Sequence, residues 1–99
     1  MFQFIYIDLV GPITPVGFKG EKYYISFTDD YTRFTIVYTI HIKDEWLNTL
    51  QRYYNWIYIK FDLKIIKIHT DYKAKLRSKK VITWINNLGI EFELAVLYT

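Results

Sequence analysis

The chain of 99 residues contains no cysteine, one methionine, two prolines and four glycines. Without cysteine, disulfides and thiolate metal sites are excluded, and an intracellular setting is favoured. No glycine-rich phosphate loop and no nucleophile motif occurs, and no His/Cys spacing marks a zinc site. No apolar run reaches the roughly 18 residues of a membrane span, and "MFQFIYIDLVGP" lacks the basic start of a signal peptide. The expectation is a soluble, intracellular chain without a membrane partner. Repeats, low-complexity tracts and linkers are absent too. What remains is 52% hydrophobic and 20% aromatic, enough apolar area for one small core with strand preference along much of the chain. Residues 1–99 are therefore read as a single domain.

Charge is concentrated. The formal net charge is +3, yet residues 60–80 alone carry eight basic side chains against Asp62 and Asp71. Such a patch attracts phosphate backbones by releasing counterions, and it serves equally as a solvated, solubilising face. Lys67, Lys73, Lys75, Arg77, Lys79 and Lys80 are the candidate nucleic-acid contacts. Phosphate contacts read neither sugar nor base edge, so DNA and RNA both stay open as partners.

Alternation in "FQFIYIDLV" predicts a first strand over Phe2–Val10, with Phe4, Tyr6 and Asp8 on one face and Ile5, Ile7 and Leu9 on the other. Gly11, Pro12, Pro15, Gly17 and Gly20 then crowd a turn region. "YYISFTD" and "FTIVYTIH", joined by the polar "DYTR", predict an antiparallel pair. Asp29 and Asp30 are read as turn residues, and Asp44 and Glu45 as helix-start residues suited to the dipole. From there Leu47, Leu50, Tyr54, Ile57 and Phe61 recur at helical spacing. Trp46, Trp56 and Trp84 lie in helix patterns and are read as packing groups. "LKIIKIHT" is a fourth strand, lying parallel to an earlier one because a helix precedes it. Ser78 caps a second helix with Val81, Trp84, Ile85 and Leu88 inward and Gly89 as its stop, and "IEFEL" is the fifth strand.

The order is βββαβαβ in a mixed α/β sheet. If strands one and four are parallel neighbours, Asp8 and Asp71 meet at one level, and an acid inside "FIYIDLV" is costly unless it is partnered. His69, beside Asp71, is read as an edge-of-core histidine.

In order along the chain, "YIDLVGPI", "GEKYYISFTDDYTRFTIVYTI", "IKIHTD" and "NNLGIEFEL" resemble the catalytic core of retroelement integrases, most of all those of copia-type long-terminal-repeat retrotransposons. The matching positions are Asp8, Gly11, Pro12, Tyr23, Tyr24, Asp30, Tyr31, Thr32, Arg33, Asp71, Leu88, Gly89 and Ile90. The resemblance implies a ribonuclease-H-like fold in which Asp8 and Asp71 are catalytic carboxylates holding Mg²⁺ or Mn²⁺ at a DNA phosphodiester, with a nuclear location open. It also implies a third carboxylate, a glutamate beyond the "LYT" at which the sequence stops, and C-terminal helices with it. Where the family continues Asn-Gly after the second aspartate, Tyr72 and Lys73 stand, and Lys75 replaces an expected glutamate. The expectation is a truncated, degenerate core, impaired in polynucleotidyl transfer, that retains nucleic-acid affinity. Two alternatives stay open: a non-catalytic module pairing with a second copy or with an intact integrase, and a nuclease borrowing Glu91, Glu93 or a partner's carboxylate.

Overall fold

A computed structural model describes residues 2–12, 20, 22–70 and 78–94, without the side chains of Lys43 and Leu94. Five strands form one sheet: β1 (Phe4–Val10), β2 (Tyr23–Asp29), β3 (Thr35–Ile40), β4 (Lys67–Thr70) and β5 (Glu91–Leu94). A 3-10 turn over Lys43–Glu45 leads into α1 (Trp46–Phe61), and α2 (Lys79–Asn87) joins β4 to β5. The spatial order is β3-β2-β1-β4-β5, antiparallel on the β2 side of β1 and parallel on its β4 side.

Alternation decides the two faces. Ile5, Ile7 and Leu9 of β1 are buried together with Ile25 and Phe27 of β2, Ile40 of β3 and Ile68 of β4. α1 lies on this face: Tyr53 stacks on Phe27 with ring centroids 4.6 Å apart and planes 13° apart. α2 lies beside α1, with Val81 and Ile85 in the same core and Trp84 edge-on to Tyr54 at 5.5 Å. Both helices thus cover one face of the sheet. The other face carries Phe4, Val10, Tyr24 and Val37, all exposed, and no described element lies over it.

The stripe of α1 that faces inward differs from the one its leucines suggest. Trp46, Leu50, Tyr53 and Ile57 are buried, whereas Leu47, Tyr54 and Phe61 pack only partly against the core. The helix is apolar or aromatic over so much of its surface that two overlapping stripes fit the spacing, and the stacking of Tyr53 on Phe27 selects between them. In α2, Ser78 caps through its hydroxyl, which accepts from the Val81 N–H at 3.3 Å. Gly89 ends the helix at φ +73°, while Leu88 faces solvent instead of the core. Strand ends are shorter than the apolar runs suggest, because β1 begins at Phe4 and β4 at Lys67. Ile66 and Lys67 instead both donate backbone N–H to the Gln3 carbonyl, which starts the parallel pairing.

Two residues set the edge of this architecture. Gly11 sits at φ +147°, and a Cβ there would come within 2.5 Å of Tyr23 Cδ1 and 2.7 Å of the Lys22 carbonyl. Only glycine therefore lets the chain leave β1 alongside β2. Asp29, 1% exposed, is a fastener and more than a turn former. Its Oδ1 accepts from the Phe2 N–H at 2.8 Å, and its Oδ2 accepts from the Thr32 N–H at 2.9 Å and the Thr32 hydroxyl at 2.6 Å. Phe2, held there, stacks on Phe61 at 5.0 Å and meets Trp56 edge-on at 5.7 Å.

Burial pushes the Asp29 carboxyl up, but the Thr32, Phe2 and Tyr31 hydrogen bonds outweigh burial and hold it below its ordinary value. Because the folded-state value is depressed, the stabilisation is full above the unfolded-state value and is lost as pH falls through the folded one. In Asp29→Asn the loss at neutral pH is expected to be about 2 kcal/mol. By urea unfolding, this gap from the native chain should narrow below about pH 4; a gap independent of pH would overturn the assignment. Tyr53 gives the opposite prediction. Its hydroxyl is buried with no partner among the described residues, and burial and then the Asp29 charge push the phenol well above the ordinary range. Tyr53→Phe keeps the ring stack, so its thermal midpoint should equal or exceed the native one, with a gain of up to about 1 kcal/mol.

Candidate functional site

The parallel ladder between β1 and β4 sets Phe4 opposite Lys67, Ile5 opposite Ile68 and Tyr6 opposite His69. On the open face this brings together Tyr6, Asp8, Lys67 and His69, and the parallel β4–β5 ladder adds Glu91 opposite Lys67 and Glu93 opposite His69. Asp8 is paired with Ser26 of β2 across the antiparallel ladder. It is half-buried, and its carboxylate has no hydrogen-bond or ion-pair partner among the described residues. The face is open to water, so an acid inside "FIYIDLV" costs less than the strand's apolar character suggests.

Asp71, Tyr72, Lys73, Lys75 and Arg77 lie outside the described residues. Among the described residues no group of three His, Cys, Asp or Glu side chains is gathered as a metal site would require. The single carboxylate at Asp8 offers hard oxygen donors of the kind Mg²⁺ or Mn²⁺ takes, and it needs at least one more from elsewhere.

His69 is engaged rather than idle at the edge of the core. Its Nε2 lies 2.6 Å from Asp30 Oδ2, where the imidazole N–H donates to the carboxylate, and its ring meets Tyr6 at 5.0 Å. Asp30 is itself pinned, its backbone N–H donating to the Phe4 carbonyl at 2.9 Å. So the adjacent acids of the β2–β3 turn serve different faces: Asp29 fastens the core side, and Asp30 reaches the open side. Sequence reasoning assigns both to the turn, and the one hint of more is that two acids in succession must point in opposite directions at a strand end.

Lys67, read from sequence as a phosphate contact, has its ammonium 2.6 Å from Glu93 Oε2. The Glu93 hydrogen bond raises the lysine's pKa, and the same bond lowers that of the glutamate. A phosphate reaching Lys67 would compete with this partner. Lys79 and Lys80 stand in the first turn of α2, in the helical layer and not on the Asp8 face. α2 ends next to the start of β5, so its first turn is displaced about 12 Å along the sheet, toward the end at which β1 and β4 finish. The lysines and Asp8 thus share one end of the sheet but lie on opposite sides of it.

Trp46 is buried and Trp56 packs among Phe2, Phe61 and Tyr53, so neither offers a free ring face. No helix among the described residues is long and apolar enough to cross a membrane.

No protein-family model matches the chain. Over 96 residues, 97% of its length, the chain is 24% identical to a retrovirus-related Pol polyprotein from transposon TNT 1-94 of Nicotiana tabacum. It spans 7% of that protein. This likeness, running nearly end to end along the chain, supports a retroelement-related protein.

The Asp30–His69 contact is directly measurable. Single Asp30→Asn and His69→Gln substitutions and their combination should show a coupling of about 1 kcal/mol in a double-mutant cycle of chemical unfolding. Additive losses would mean that the pair contributes nothing to the fold.

Proposed function

We propose that these residues form a ribonuclease-H-like, integrase-type core related to DNA integration, with Asp8 and Asp71 as its two aspartates. The observation that carries the reading is the β1–β4 register. Tyr6 stands opposite His69, and Asp8 and Asp71 each follow two residues later in the sequence. The neighbourhood is chemically apt: a half-buried carboxylate on an open face, without a partner among the described residues, with Ser26 across the ladder. Bound between such carboxylates, a divalent ion would supply positive charge at a phosphodiester undergoing displacement. The chain's own part is to hold Asp8 on the central strand, with β2 and β4 hydrogen-bonded on either side of it. Rigid strands hold ligands more closely than loops do.

Lys73, Lys75 and Arg77 follow Asp71 directly, and the proposed role of this run is to hold the nucleic-acid backbone beside the carboxylates. Only two of the three carboxylates that the resemblance implies have counterparts in this sequence. These residues by themselves are therefore proposed to bind nucleic acid and to transfer strands poorly, since displacement is sensitive to small misplacements of its charged groups. A second reading has support of its own. Phe4, Val10, Tyr24 and Val37 present apolar surface on the open face, which favours association with another core.

The test is a Mn²⁺ titration followed by amide NMR. Broadening confined to the neighbours of Asp8 on β1, β2 and β4, and abolished by Asp8→Asn and by Asp71→Asn, is the expected result. A dispersed spectrum that Mn²⁺ leaves unchanged would overturn the two-aspartate site, and sedimentation of the same sample would then decide for the association reading.

A further inference from the structure

On the helical side of the sheet, α1 and α2 leave a groove of about 640 Å³ between them. Leu47 and Trp84 are the apolar part of its lining, and Lys79 and Lys80 the charged part. Trp84 is half-buried and set edge-on against Tyr54 at 5.5 Å, and the Thr83 hydroxyl is turned away, donating to the Lys79 carbonyl at 2.8 Å. Among the described residues no carboxylate lines the groove. The two lysines are exposed, and neither has an acidic partner among the described residues.

Apolar lining beside two ammonium groups that have no acidic partner among the described residues states the chemistry of its occupant. We propose that this groove docks a peptide segment of a partner protein in which apolar side chains are flanked by carboxylates. The apolar residues enter between the helices against Leu47 and Trp84, and the carboxylates meet Lys79 and Lys80. The groove is broadly open to solvent, and its volume is more than two aliphatic side chains fill. A nucleic-acid backbone is the rival occupant. It would use the lysines but leave the apolar lining wet, because phosphodiesters have no apolar group to place there. The inference rests on the groove alone and is independent of the two-aspartate site on the opposite face.

The experiment is fluorescence anisotropy with the full chain and a short fluorescein-labelled peptide of two leucines flanked on both sides by glutamates. A peptide with lysines in place of the glutamates and a short single-stranded DNA serve as comparison probes. Saturable binding of the acidic peptide is expected. It should weaken about tenfold or more in the Lys79→Glu, Lys80→Glu double variant. It should be lost in Thr83→Trp, an exposed position from which a large ring would fill the groove. The lysine peptide should not bind. Circular dichroism establishes that each variant is folded, and Lys79→Gln with Lys80→Gln gives a milder version of the charge test. Absence of peptide binding overturns the proposal. So does binding that the charge reversal leaves unchanged, or DNA binding that responds to Lys79→Glu and Lys80→Glu while the acidic peptide does not bind.

Discussion

The Asp29 carboxylate is the contact on which most of this molecule's order depends. One oxygen holds the backbone of Phe2, just ahead of the central strand, and the other closes the turn between β2 and β3 through Thr32. The Phe2 ring consequently sits among Phe34, Trp56 and Phe61, which ties the end of α1 to the sheet. The same turn puts Asp30 beneath the Phe4 carbonyl and within reach of His69. A buried charge is tolerated here because several donors converge on it, and a hydrogen bond to an ionised acceptor is stronger than one between neutral groups.

The faces of β1, the antiparallel partnership of β2 and β3, the cap at Ser78 and the parallel placement of β4 can all be read from the sequence. Each follows from a local rule: alternation, short polar connections, a hydroxyl before an apolar run, a helix between strands. Less legible are the features that depend on which side chains meet across strands. Asp29 and Asp30 are indistinguishable in the sequence, yet one fastens the core and the other reaches the open face. The Lys67–Glu93 pair exists only because β5 lies beside β4 in one register. The inner stripe of α1 escapes the leucine spacing because tyrosine and tryptophan make nearly every side of the helix suitable for packing. Of the candidate site, the position of Asp8 and its direction on the strand were legible. Its half-burial was not, since strand alternation does not say whether the second face is covered.

Charge is distributed by layer. The open face bears Asp8, Asp30, Glu91 and Glu93, with Lys67 held by Glu93. The described lysines of α2 lie in the helical layer. Among the described residues, the lysines of α2 and the acids near Asp8 thus lie on different sides of the sheet. Reading Lys79 and Lys80 as one continuous surface with Asp8 follows from the sequence only while the sheet's thickness is ignored.

The strand order also determines how the chain must assemble. β1, β2 and β3 pair with near neighbours in sequence, so their meander closes short loops. The bonds between β1 and β4 instead join residues roughly sixty positions apart, and that closure carries the larger entropic cost. β5 pairs with β4, so the β4–α2–β5 unit joins the meander through that one long closure. The candidate site, which draws on both β1 and β4, exists only once that closure is made.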